Sequence, residues 1–192
     1  YDINAKANYT FSDKDRVYLS GYFGKDVFTF RNSTNSFAFK VPWGNSTATL
    51  RWNHLFSDKL FLNTTAVYND YNFEFNGEQQ DFKVRLYSGI RDLGIKSDVD
   101  YYSAFGHNFK AGVNYTWHTF TPSTIVGESA GVEFNPNQAD KKYAHEIAAY
   151  VLDEFDIGKH IKINTGLRYS RFLQAGPYTR YSFDPLNQTK KL

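Results

Sequence analysis

Asp98 and Asp100 are the two residues of this sequence whose spacing most resembles a catalytic carboxylate pair, because alternate residues of a strand share a face. Lys96 lies on the same face, and Lys110 and Lys162 occur in neighbouring predicted strands, so salt bridges are favoured over acid–base catalysis. The five histidines have no metal-ligand spacing; they are His54, His107, His118, His145 and His160. Because the 192 residues include no Cys, thiolate chemistry is excluded. We expect no enzyme, no catalytic residue, no metal and no cofactor.

The overall composition narrows the class of protein. A formal net charge of +2 gives no basic surface for nucleic acid, so no nucleic-acid partner is predicted. Aromatic residues make up 19% of the chain, yet the mean hydropathy is −0.56 because Asn, Thr, Ser, Lys and Asp are also abundant. Many aromatic residues among many small polar ones are typical of half-buried strands.

Strict alternation of apolar and polar residues is the dominant pattern. It is clearest in "IKINTGLRYSR" at residues 161–171, and it recurs in 1–11 and in 109–117. Short polar turns near residues 13, 58, 105 and 158 predict four hairpins, hence eight strands of about ten residues. The connections at 28–45, 121–143 and 173–192 are rich in Asn, Ser, Gly and Pro, and we expect them to be long loops.

The phase of the alternation changes once. Apolar residues occupy even positions from Phe82 to Ile90 and odd positions from Ile95 onward. We expect a bulge at Asp92–Gly94 that shifts the register within one long strand, since a turn there would give an odd number of strands.

The apolar faces could meet a protein core or lipid. Strands of about ten residues, short turns at one end and long loops at the other are typical of membrane barrels. The central parts of the apolar faces also carry no charged residue, as a lipid contact requires. The sequence therefore predicts a transmembrane antiparallel β-barrel wall. Its predicted lipid-facing residues are Ile3, Leu19, Leu50, Trp52, Val113, Trp117, Ile161, Ile163 and Leu167.

The segment "HEIAAYVLDEFDIGKHIKINTGLRYSRF" resembles the wall hairpins of the TonB-dependent receptor β-barrel, as do "GHNFKAGVNYTW" and "DRVYLSGYFGKDVF". In style it is similar to receptors from Bacteroidetes. The resemblance implies that residues 1–192 are an internal fragment, about eight strands of a 22-stranded barrel with short periplasmic turns and long extracellular loops. It implies no plug domain in this chain.

The same resemblance implies a bacterial outer-membrane location and the uptake of a nutrient such as a metal chelate, a glycan or a peptide. The implied partners are outer-membrane lipid and an inner-membrane TonB-type energy-coupling complex, contacted through parts absent from this chain. A surface lipoprotein is a further candidate partner. Two alternatives stay open, namely a complete eight-stranded outer-membrane barrel with a structural role, and a soluble β-sandwich binding module.

Candidate substrate-facing residues come from two parts of the sequence. Arg85, Tyr87, Arg91 and Arg168 fall on the predicted inner face, where they could meet substrate or hydrogen-bond a plug. Phe37 and Trp43 lie in an aromatic stretch that could hold a ligand by stacking. In the alternative interpretation, the strands project beyond the membrane and these rings pack against one another.

Overall fold

The computed structural model describes residues 1–32, 34, 36–134, 140–176, 182–184 and 189–191. The described residues form antiparallel β-strands and turns, without a helix. No helix long and apolar enough to cross a membrane is present among them. The predicted all-β antiparallel class is confirmed.

Nine strands form one sheet, in which successive strands are hydrogen-bonded with one exception. Its strands are β1 (Asp2–Thr10), β2 (Asp15–Asn32), β3 (Phe37–Ser57), β4 (Leu60–Gln79), β5 (Phe82–Tyr102), β6 (His107–Ser129), β7 (Val132–Phe134), β8 (Lys142–Ile157) and β9 (Ile161–Ala175). The order across the sheet is β1-β2-β3-β4-β5-β6-β8-β9, and the exception is that β6 pairs with both β7 and β8. A separate pair consists of β10 (Ser182–Asp184) and β11 (Thr189–Lys191).

The four tight turns and eight principal strands agree with the prediction, but the strand lengths do not. The strand β2 has 18 residues, β3 has 21 and β6 has 23, against the ten expected. The predicted long loops at 28–45 and 121–143 are therefore largely strand, and part of 173–192 forms β10 and β11. Pairing with long neighbouring strands, and the many β-branched and aromatic residues, outweigh the Asn, Ser, Gly and Pro content of these stretches.

The predicted bulge at Asp92–Gly94 is wrong. The strand β5 pairs with β4 in one unbroken register from Phe82 to Tyr101. The register against β6 shifts between Tyr87 and Gly89, where the extra residue lies on β6 beside Pro122. Proline has no N–H to donate to the ladder, so a bulge accommodates it. The phase change in β5 therefore marks a place where the two faces of the sheet exchange polarity.

The registers assign every second residue to one of two faces. Face A carries Leu19, Leu50, Leu93, Val113 and Leu167. Face B carries Lys6, Arg51, Lys96, Lys110 and Lys162. Near the tight turns, face A is thus apolar and face B is polar.

The described sheet is a single layer. Each strand contacts only the strands to which it is hydrogen-bonded, and β1 and β9 do not meet, so the described sheet is not closed. Among the described residues, the buried apolar side chains are Ala144 and Ala148 only, and no large side chain is fully buried. Within the described sheet, the apolar side chains of face A therefore have no protein core in which to pack.

Candidate functional site

An apolar band crosses face A next to the tight turns. Along β5 it runs from Leu93 to Tyr101, nine residues or about 26 Å of strand. Val113 in the middle of the band on β6 is 58% exposed, and Leu167 on β9 is 78% exposed. Seven of the nine predicted lipid-facing residues are exposed, and Trp117 and Ile163 are half-buried. Contact with lipid itself stays a prediction.

Polar side chains inside the apolar band satisfy one another. The hydroxyls of Thr64 and Ser97 are opposite each other on β4 and β5 and are 3.0 Å apart. The Tyr115 hydroxyl lies 2.9 Å from Nδ1 of His145 on the neighbouring strand. A polar group without such a partner costs several kcal/mol in a hydrocarbon environment. The band can therefore be buried in an apolar medium while these hydroxyls keep their hydrogen-bond partners.

Carboxylates on face A of the turn-side half occur beside the turns, and each has a histidine partner. Asp15 Oδ1 accepts a hydrogen bond from the Trp52 indole at 3.0 Å and lies 2.7 Å from His54 Nδ1. Asp153 Oδ2 lies 2.9 Å from His107 Nδ1. The hydrogen bond with His54, followed by that from Ser12, lowers the pKa of Asp15. The lowered pKa favours the charged form of Asp15, and both carboxylates lie at the edge of the apolar band.

Beyond the band, away from the turns, face A becomes charged. Asp70 and Arg91, one row beyond Tyr68 and Leu93, form an ion pair of 2.7 Å. Further along, Arg85 pairs with Glu74 at 3.1 Å and Lys83 pairs with Glu128 at 3.4 Å. The apolar character of face A therefore ends abruptly at the Tyr68 and Leu93 row.

Face B changes in the opposite sense over the same strands. It carries a phenylalanine cluster, which consists of Phe28, Phe30, Phe37, Phe39 and Phe75. Phe39 is central, since its ring is stacked on Phe30 at 5.3 Å and on Phe75 at 5.8 Å between centroids. In this stretch the strands continue and the rings pack against one another, rather than standing in a loop.

The structure separates the residues predicted to face a substrate. Phe37, Trp43 and Arg168 lie on face B. Arg85, Tyr87 and Arg91 lie on face A, because β5 alternates without interruption from these residues to Leu93. The prediction that Arg85, Tyr87, Arg91 and Arg168 share one face is therefore wrong. The two faces of the sheet exchange polarity along β5. In the sequence, such an exchange gives the same change in apolar periodicity as a register shift, and this similarity explains the wrong prediction.

The carboxylates that opened the sequence analysis are in salt bridges on face B. Lys96 Nζ lies 3.3 Å from Asp98, and Lys110 Nζ lies 3.2 Å from Asp100. Asp98 is only 8% exposed. Such pairing is the structural arrangement expected of a polar sheet face, and it leaves no free acid–base pair at this position.

The histidines are spread over both faces. Besides the pairs already described, His118 on face B lies 2.8 Å from Asp92 and 3.5 Å from Glu146. Among residues with described positions, no group of three or more His, Asp or Glu side chains could hold a metal ion. Sequence reasoning missed the carboxylate–histidine pairs because their members lie on strands whose register was unknown.

Comparisons of this chain with protein-family models, with curated proteins and with solved structures found no match. Function is therefore inferred from the fold and from the chemistry of its two faces.

Proposed function

We propose that this chain forms part of the wall of an outer-membrane β-barrel transporter of the TonB-dependent receptor type. Face A contacts lipid through the apolar band, and face B lines the lumen. The transported compound is a nutrient such as a metal chelate, a glycan or a peptide. Energy comes from an inner-membrane coupling complex, a surface lipoprotein is a candidate accessory partner, and no catalysis is involved.

The observation that carries the proposal is the uncovered apolar band. Leu50 and Ile95 are each 50% exposed and Val113 is 58% exposed, although each sits in the middle of a long, regularly paired strand. Removing apolar surface from water stabilises by about 25 cal/mol per Å², so a band of this width needs a covering medium. A tilted strand needs about 9–11 residues to cross a bilayer, and the nine residues of the band agree with this length.

The stagger of the turns supports a tilted barrel wall. The row through Arg16, beside the first turn, passes Asn63 and Asp98 and reaches Tyr150. Tyr150 is seven residues from Ile157, which closes the last turn. Seven residues are about 23 Å of strand, and the six strand spacings between these turns are about 29 Å. Turns lying at one level therefore require a strand tilt of about 40°, within the roughly 35–45° of membrane barrels.

The exchange of polarity also fits this orientation. If the band spans the bilayer and the turns are periplasmic, the ion pairs from Asp70–Arg91 outward reach the headgroup region and water. The phenylalanine cluster, Trp43 and Arg168 then point to the lumen side, where they are the candidate substrate contacts. Arg85, Tyr87 and Arg91 are assigned to the outer surface instead.

The two alternatives make different demands on the sheet. A complete eight-stranded barrel needs β1 to pair with β9, and a soluble β-sandwich module needs a second layer over face A. The described residues provide neither contact. The larger barrel needs additional strands from the same protein.

The test uses the product of the complete reading frame, expressed in a Gram-negative host. We expect it in the outer-membrane fraction, with an electrophoretic mobility in detergent that changes on boiling, because folded barrels resist the detergent. Recovery as a monomer in detergent-free buffer would overturn the proposal. A heat-modifiable band from residues 1–192 alone would favour the small barrel instead.

A further inference from the structure

A polar groove of about 350 Å³ lies on face B across β1, β2 and β3. Its lining side chains are Lys6, Tyr18, Ser20, Thr49, Arg51 and Asn53. Lys6 is opposite Ser20, which is opposite Thr49, and in the next row Tyr18 is opposite Arg51. The groove therefore has two cations and several hydroxyl or amide groups, and its lining includes no carboxylate.

The two cations of the groove have neutral neighbours. Arg51 Nε donates a hydrogen bond to Thr65 Oγ1 at 3.2 Å, which leaves its two terminal nitrogens available. Lys6 Nζ lies 5.5 Å from the centre of the Tyr18 ring. Within the described ranges neither cation has an ion pair, and Asp2, the nearest acid on face B of β1, is about 13 Å away along the strand.

Elsewhere on face B near the turns, the lysines are paired with carboxylates. Lys96, Lys110 and Lys162 are each within 3.3 Å of a carboxylate oxygen. The adjoining groove around Lys96 and Lys110 includes Asp92 and Asp98, and Arg51 lines this groove as well, without an ion pair to either carboxylate. The sector over β1–β3 is thus a part of the described face B where two cations line one groove without an ion pair, whereas Arg168, also unpaired, lies on β9 against the Tyr150 ring.

We infer that this groove binds an oxyanion group, a carboxylate or a phosphate, of an anionic solute. A guanidinium whose Nε is already held presents its remaining N–H donors as a fixed fork, which matches two oxygens of one oxyanion. Lys6 adds a second charge, and Ser20 and Thr49 add hydroxyl donors. The inference deepens the proposed function and rests on it, since it assigns an anionic class to the transported solute.

The experiment measures binding to the full-length protein in detergent by calorimetry. Citrate and tripolyphosphate are the anionic probes, and maltotriose is the uncharged probe. We expect Lys6→Gln combined with Arg51→Gln to weaken binding of the anions at least tenfold. Arg51→Lys alone keeps the positive charge but loses the forked pair of N–H donors. Its affinity for the anions is therefore expected to lie between those of the wild type and the double variant. The matched control Lys162→Gln removes a paired lysine from the same face and should change affinity less than twofold.

Three results would overturn the inference. The first is a folded, heat-modifiable wild-type protein that binds neither anion, which includes the case where acidic side chains of the same protein already cover the groove. The second is equal weakening of anion binding by the double variant and by Lys162→Gln, which indicates a nonspecific effect of the protein's net charge. The third is equal affinity for maltotriose and citrate. A protein that is not heat-modifiable contradicts the proposed function, so the two failures are distinguishable.

Discussion

Tyr150 lies across Gly112, its directly paired neighbour, on face B of the sheet. A Cβ built on Gly112 would come within 2.5 Å of the Tyr150 hydroxyl oxygen and 2.6 Å of Asp98 Oδ1. Neither of these oxygens has a hydrogen-bond partner within the described part of the chain. The glycine thus provides the space in which an aromatic ring and a buried carboxylate meet.

Gly112→Ala is therefore expected to destabilise the protein by about 1–3 kcal/mol, the usual cost of overpacking. Urea titration of the protein folded into lipid vesicles measures the effect. Gly21→Ala is the matched control, because the nearest atom to its added Cβ is 3.8 Å away. Equal stability of the two variants would contradict this account of the Tyr150 contact.

Val113 is next to Gly112 but faces the opposite way, in the middle of the apolar band. Val113→Arg is expected to cost about 2–4 kcal/mol, the penalty for a cation at the bilayer midplane. Asn114→Arg, one residue along on face B and opposite Lys96, should cost no more than about 1 kcal/mol, the range of a like-charge pair across two strands. The same urea titration compares them, and equally small effects would mean that face A meets water.

Asp15 lies beside the turn, outside the apolar band of β2. Its hydrogen bonds predict that the folded protein loses stability in acid. Its pKa in the folded protein is lowered below the usual 3.8, chiefly by the hydrogen bond with His54. A lowered carboxyl pKa stabilises the folded state above the unfolded pKa, and this stabilisation disappears as the pH falls through the folded pKa. Asp15→Asn should lower the urea midpoint at pH 6, and its difference from wild type should shrink below about pH 4.

The control for Asp15 is Asp13→Asn in the same turn. Asp13 is exposed, and the hydrogen bond at His54 Nδ1 is to Asp15 rather than to Asp13, so this variant should follow the wild-type midpoint at every pH. A constant difference between Asp15→Asn and wild type from pH 6 to pH 3 would argue against the hydrogen bond with His54 as the source of the stabilisation.

Phe39 is the centre of the phenylalanine cluster, with ring contacts to Phe28, Phe30, Phe37 and Phe75. Within the cluster, the ring of Phe28 contacts only that of Phe39. Because each aromatic pair contributes about 0.5–1.5 kcal/mol, Phe39→Ala should lower stability more than Phe28→Ala. Thermal unfolding measures both variants, and a larger effect of Phe28→Ala would show that the cluster is organised differently.

Much of the fold was predictable because alternation is a local property. Apolar residues at odd positions from Ile3 to Tyr9, and again from Phe109 to Trp117, specify a half-exposed strand without knowledge of its neighbours. Turns such as that at Ser12–Asp15 are also local, since the Ser12 hydroxyl accepts hydrogen bonds from the Lys14 and Asp15 amides. Class, hairpins and turns were therefore within reach of the sequence.

What the sequence could not supply depends on pairing between distant residues. Arg91 was assigned to the inner face because the apolar residues on either side of it change parity, and a bulge explains such a change as well as an exchange of polarity does. Only the register with β4, which places Arg91 opposite Asp70, distinguishes the two. The Asp15–His54 pair and the Lys6–Arg51 groove also unite residues on different strands.

The central claim is that face A of the turn-side half contacts lipid while face B contacts water. Because residues 1–192 contain no Cys, single spin-labelled cysteines can be placed along β3 at residues 48–53 of the full protein in lipid vesicles. We predict that labels at 48, 50 and 52 collide with oxygen, and labels at 49, 51 and 53 with a water-soluble nickel chelate. Labels at 48, 50 and 52 that are accessible to the chelate, or shielded from both reagents by a second protein layer, would contradict the claim.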